Sequence, residues 1–218
     1  MSTINNSVNN SLTIPVIITS LFDVNSNTWI AQTATSSAVN YITVKNNVTT
    51  ASPAISATGT DSSIILTLSG KGSGGVTIAG TSSADNAASG YVGEYITSNI
   101  PDASAVSLSN NTAVDVTSIS LTAGDWEIFG NVSFTFGAST AVSNVICWTS
   151  NASATLPDNS KRSYYADNVT GVAANIALAT PYLRINSTGT TTAYLTAYCS
   201  FTTSTATASG SIFARRVR

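Results

Sequence analysis

The sequence predicts an all-β protein: short strands over residues 29–90, then an antiparallel sandwich or jelly roll from residue 91. Three observations lead there. Only 8% of the residues are charged, against roughly 25% in an average soluble domain. Ser, Thr, Asn, Ala and Gly fill the chain, with Val and Ile supplying most of the bulk. Lys and Glu, which keep helical surfaces wet, are nearly missing, so solvated faces must be built from hydroxyls and amides, a composition that suits strands and turns. Finally, apolar and polar residues alternate over long stretches after Tyr91, with polar turn clusters between them.

Taken in order, residues 1–28 are polar and Asn-rich around one apolar segment, IPVIITSLF. Such an arm is often ordered only by a partner, and Ile14, Val16, Ile17, Ile18, Leu21 and Phe22 are its candidate anchoring residues. Residues 29–90 hold short strand-like runs, NYITV (40–44), PAISA (53–57), SIILTL (63–68) and GVTI (75–78), separated by KNNVTTAS, TGTD and SGKGSGG. Strands so short and so poor in large side chains cannot close a core within one chain; neighbouring chains must cover them. Residues 84–100 form a junction in which a short helix is conceivable.

From residue 91 to 218 the strands lengthen. The expected runs are VSL (106–108), VDVTSISL (114–121), DWEIFGNVSFTFG (125–137), VSNVICWT (142–149), ANIALATPYLRIN (174–186), TTAYLTAYCSF (191–201) and SGSIFARRV (209–217). Trp126, Ile128, Gly130, Val132, Phe134 and Phe136 share one face, with Asp125, Glu127, Asn131 and Ser133 on the other. Leu195, Ala197, Cys199 and Phe201 likewise oppose Tyr194, Thr196, Tyr198 and Ser200.

Several chemistries are disfavoured. Without a single histidine, neither Ser-His-Asp nor Cys-His catalysis is available, and the commonest metal ligand is missing. SGKGSGG is a glycine-lysine stretch, but a phosphate loop needs GxxxxGK followed by Ser or Thr and then a helix. Here Gly72 follows Lys71, and Val76, Thr77 and Ile78 are strand formers. Asp125 and Glu127 could hold calcium or form a glycosidase pair, yet their i, i+2 spacing is better read as the solvent face beside Trp126 and Ile128. No metal or cofactor is expected, and no enzymatic activity. A net charge of −2 argues against nucleic acid. Arg215, Arg216 and Arg218 read as a solvated tail or interchain contact. No apolar run approaches the roughly 20 residues of a membrane helix, so membrane insertion is not expected. The start MSTINNSVNN lacks a secretory n-region, which points to synthesis in a cytoplasm. Cys147 and Cys199 have no metal-ligand spacing and could pair if their strands are neighbours. Trp148, alternating with Ile146, reads as core or a subunit contact.

The best candidate for recognition is the loop SNASATLPDNSKRSYYADNVTG, residues 150–171. It gathers Lys161, Arg162, Tyr164 and Tyr165 among small polar residues, and aromatics beside an arginine suit a contact surface. The alternative is that the tyrosines merely anchor the loop.

Three passages resemble tailed-bacteriophage fibre and receptor-binding proteins. They are NYITVKNNVTTASPAISATGTDSSIILTLSGKGSGGVTI (40–78), GYVGEYITSNIPDASAVSLSNNTAVDVTSISLTAGDWEIFGNVSF (90–134) and the closing GSIFARRVR (210–218). The resemblance implies a homotrimer with an intertwined β stem followed by a jelly-roll-like β-sandwich head. It implies a virion protein: a tail fibre or baseplate-linked receptor-binding protein, docked to other virion proteins through residues 1–28. The partner at the head would be a host cell-surface glycan or protein. Two alternatives stand beside it: a head fibre decorating the capsid, anchored by the same arm, and a polysaccharide depolymerase.

Overall fold

A computed structural model describes residues 20–31, 33, 35–83, 85–170 and 175–218. The chain divides into two compact units, one up to Ala79 and one from Gly80 to Arg218.

The first unit contains two antiparallel hairpins. β1 (Ser20–Phe22) pairs with β2 (Thr28–Ala31), so Leu21 lies opposite Ile30. The Asp23 carboxylate makes the turn by accepting the Asn25 and Asn27 backbone N–H groups at 2.9 and 2.8 Å, the local bonding that suits Asp to turns. This hairpin straddles the expected division at 28/29. β3 (Asn40–Lys45) pairs with β4 (Ala54–Gly59) in the register Asn40 to Gly59, on the runs that the sequence indicates. The expected strands SIILTL and GVTI do not form; residues 61–79 carry no strand pairing. Between them the SGKGSGG segment turns on itself, with the Gly74 N–H bonded to the Lys71 carbonyl at 3.1 Å and Gly72 at φ +62°.

The second unit is an antiparallel sandwich. Its strands are β5 (Tyr95–Ile100), β6 (Val106–Ser107), β7 (Thr112–Leu121), β8 (Gly124–Phe136), β9 (Ala141–Ser150), β10 (Ser163–Thr170), β11 (Asn175–Ala179), β12 (Leu183–Ser187), β13 (Thr191–Thr202) and β14 (Ala206–Arg216). One sheet runs β10-β9-β13-β7; the other runs β11-β8-β14-β5, with β12 beside β8 and β6 beside β14. From β7 to β9 successive strands alternate between sheets, β9 and β10 form a hairpin within one sheet, and the pairs β5/β14, β7/β13, β8/β11 and β9/β10 nest inside one another. That is the double Greek key of a jelly roll. The junction contains β5 rather than a helix; beyond it comes only a 3₁₀ turn at Asp102–Ser104. β10 likewise occupies the second half of the expected loop 150–171.

The core lies between the sheets. Trp126, Ile128, Val132, Phe134 and Phe136 of β8 are buried as their alternation requires, as are Leu195, Ala197, Cys199 and Phe201 of β13. Small residues of β14 face the large ones of β8: Ala208 stands opposite Phe134 and Ala206 opposite Phe136, so bulk and gap interlock. On β7 the buried set steps from Val116 to Ile119, because the pairing with β13 shifts between Leu195 and Thr196 and a bulge reverses the facing. Both cysteines are free and buried; burial pushes each thiol up to about 12, which makes them unreactive.

Candidate binding site

Three segments of the jelly roll meet around a cavity of about 380 Å³. The end of β9 contributes Thr149 and Ser150, the following loop contributes residues between Asn151 and Lys161, the β11–β12 connection contributes Pro181 and Tyr182, and the start of β12 contributes Leu183 and Arg184. Each segment has a reason to be there. β9 runs unbroken because Val145, Cys147 and their neighbours are buried. The loop that follows is held down by Asp115 of β7, which accepts the Ser153 hydroxyl at 2.6 Å and the Ala154 N–H at 2.9 Å. Asp115 also accepts the Thr196 hydroxyl at 2.7 Å. Trp148, Thr196 and Asp115 stand in one row across β9, β13 and β7. Trp148 lies on the face opposite Val145 and Cys147, yet it too is fully buried.

The third wall is a break in an edge. Between Ala179, opposite Asn131, and Leu183, opposite Ile128, three residues of the edge face two of β8. At this bulge Thr180 N–H bonds the Gly130 carbonyl at 2.8 Å, and Gly130 N–H bonds the Thr180 hydroxyl at 2.9 Å. Pro181, which has no N–H to offer the ladder, turns Tyr182 outward.

Around the rim the charges are unequally committed. Arg184 donates to both oxygens of the buried Asp125 carboxylate, at 2.8 and 2.5 Å. That bond chiefly, aided by Arg218 at 3.8 Å, holds the Asp125 carboxyl below the usual range. The Tyr182 hydroxyl donates to Glu127 at 3.2 Å; partial burial and that bond raise its pKa, so it stays a neutral donor at pH 7. Lys161 is exposed and makes no ion pair among the described residues. At the back, Thr149 is buried and its hydroxyl has no hydrogen-bond partner among the described residues.

Of the residues the sequence singled out, Lys161 lines this cavity, while Arg162, Tyr164 and Tyr165 do not. Arg162 reaches back to the Asn159 side chain. Tyr164 and Tyr165 are consecutive on the exposed edge strand β10, opposite Ile146 and Val145. Adjacent strand residues point to opposite faces, so the two rings do not form one platform. Leu21 and Phe22 are exposed in β1, and Ile14, Val16, Ile17 and Ile18 lie outside the described residues. The C-terminal arginines are not all solvated: Arg216 is buried, 2.8 Å from the Glu94 carboxylate. Tyr182 and Arg184 escaped sequence reasoning because TPYLRIN reads as continuous strand, with Pro181 within it the available sign; Thr149 escaped it because it closes the run VSNVICWT as one more strand residue.

The fold and the site define a jelly-roll β-sandwich with a concave, mostly neutral cleft, preceded by a small unit of β-hairpins. No protein-family profile matches the sequence, and no curated protein matches it. Among solved structures, that of the infectious bursal disease virus Gx strain aligns with a TM-score of 0.37 and 14% identity, over 57% of this chain and 32% of its own. The VP2 subviral particle of infectious bursal disease virus aligns with a TM-score of 0.34 and 15% identity, over the same shares. This chain thus spans about a third of the length of each.

Proposed function

We propose that the protein is a non-enzymatic structural component of a tailed-bacteriophage virion. In this reading it is a homotrimeric fibre whose first unit is an intertwined β stem and whose jelly roll is a host-binding head. One observation carries it: no described residue from Leu21 to Ala79 is buried. Trp29 is 73% exposed there, Val44 78% and Ile65 88%. Two hairpins cannot keep such side chains in water unaided. Three copies about a shared axis would bury them and satisfy the open strand edges. The fibre-like passages 40–78, 90–134 and 210–218 support the same reading. So does an uncovered aromatic group on the six-stranded sheet, where Phe213 stacks on Phe129 and Tyr95 with centroids 5.3 and 6.1 Å away.

Residues 1–28 dock into the virion in this reading, and the head meets a surface glycan or protein of the host. Three heads per fibre convert weak contacts into lasting attachment. Sedimentation equilibrium is the direct test: a particle of three times the 22.3 kDa chain mass is expected, and a stable monomer would overturn the stem. Antibody against the head should also block adsorption. Gold labelling at the tail tip is expected, whereas labelling on the capsid face would favour a decoration fibre.

A further inference from the structure

We propose that the cavity between the 150–161 loop and the Pro181–Arg184 bulge binds an acidic saccharide: one pyranose ring against Tyr182, with its anionic group at Lys161. The inference rests on reading this domain as the host-binding part, and it names the ligand class that the site would take.

Four features select that class. The first is charge. Lys161 and Arg184, two of only eight basic residues in the chain, line the cavity, and no acidic residue does. Arg184 is neutralised by Asp125, so Lys161 is the uncommitted cation. Glu127 bonds the Tyr182 hydroxyl at the rim and does not line the cavity, which leaves Lys161 as the free charge among the lining residues. The second is the ring of Tyr182, 61% exposed on the rim. A pyranose offers one face of C–H groups, and a fixed tyrosine is a rigid apolar partner for it. The Glu127 carboxylate fixes this ring by accepting its hydroxyl. The third is the polar wall of Ser150, Asn151 and Ser160, which suits hydroxyl groups in several directions. The fourth is the Thr149 hydroxyl, buried behind that wall without a partner. Buried polar groups are nearly always bonded, and a ligand hydroxyl or a water held beneath it would complete this one. A volume of about 380 Å³ falls within the range of small-ligand sites and admits one or two sugar rings. A neutral glycan would leave Lys161 without a role, and a peptide adding to the sheet edge here would meet the Pro181 bulge, where the ladder is interrupted.

The anion could be a carboxylate or a phosphate, and the test separates them. The full-length protein is titrated calorimetrically with trigalacturonate, with glucose 6-phosphate and with neutral maltotriose. Binding of at least one anionic probe is expected, with maltotriose about tenfold weaker or more, the effect of one charge-assisted hydrogen bond. The stronger anionic probe identifies the source. Lys161→Met should weaken it about tenfold. Tyr182→Ala should weaken it at least as much, whereas Tyr182→Phe, which keeps the ring but loses the Glu127 bond that fixes it, should weaken it less than Tyr182→Ala. Both side chains are exposed, so the variants fold, and unchanged melting curves check this. No heat from either anion at about 10 mM overturns the site, as does equal binding of maltotriose or binding that survives both Lys161→Met and Tyr182→Ala. The wider reading fails separately. A virion carrying Lys161→Met that still adsorbs, while the purified protein has lost the probe, would keep the saccharide site but remove it from host attachment.

Discussion

Arg216 shows how much one side chain can organise in a protein with so few charges. Its guanidinium lies 4.3 Å over the Trp126 ring, donates to Glu94 at 2.8 Å, and bonds the Ala123 carbonyl at 2.7 Å and the Thr122 hydroxyl at 2.5 Å. Gly124 makes room for it: a Cβ there would stand 1.8 Å from Arg216 Nη1, and its φ of +145° disfavours other residues. Burial pushes the Glu94 carboxyl up, but bonds from the Gly90 N–H, Arg216 and Ser89 outweigh it, and the pKa falls below the ordinary value. A depressed folded pKa contributes stability that is present above the unfolded value, about 4.3, and lost as pH falls through the folded one. Asp125, held down by Arg184, acts in the same direction. Arg216→Met should therefore cost roughly 3 kcal/mol at pH 7, since it strands a buried carboxylate. Glu94→Gln should flatten the loss of stability on acidification below about pH 4. Urea denaturation at several pH values measures both; an unchanged acid limb in Glu94→Gln would assign it to other carboxylates.

Strand β8 illustrates what alternation can and cannot reveal. Its apolar positions predicted the core face correctly, and Gly130 interrupted them without apparent cause. The cause is on neighbouring strands. A Cβ at Gly130 would stand 2.7 Å from the Ser211 carbonyl oxygen and 3.0 Å from Leu195 Cδ1, while the residue's own amide and carbonyl hold the Thr180 bulge. Gly130→Ala should cost about 1–3 kcal/mol through overpacking and lower the thermal midpoint. If the bulge also shapes the Tyr182 wall, the same variant should weaken binding of the proposed saccharide. β10 and β5 were missed for a related reason. SYYADNVT has no dominant apolar face because β10 is an edge. YITSNI alternates over six residues only, and serine at 98 interrupts its inward face between Ile96 and Ile100.

At the scale of the whole chain the two units differ in kind. Every buried residue described lies at Glu94 or beyond, so the jelly roll carries its own core and the described residues of the first unit carry none. A chain begun at Gly80 should accordingly unfold cooperatively, with the near-UV spectrum of buried Trp126 and Trp148, and sediment as a monomer if the first unit makes the proposed trimer. If it is molten instead, the head depends on the stem. By itself the sequence determined the all-β class, most strands, and which face of β8 and β13 is core. Those follow from a two-residue period and from turn composition, both contained in short windows. Only the tertiary structure decided which strands pair, that β8 and β14 interlock, and that Arg216 meets Glu94 from 122 residues away. It also decided the binding wall: Lys161 was legible because it stood in a polar loop, whereas Thr149, Tyr182 and Arg184 join it only after the sheets close. Chain reversal and register bring them together, and no local pattern of residues encodes either.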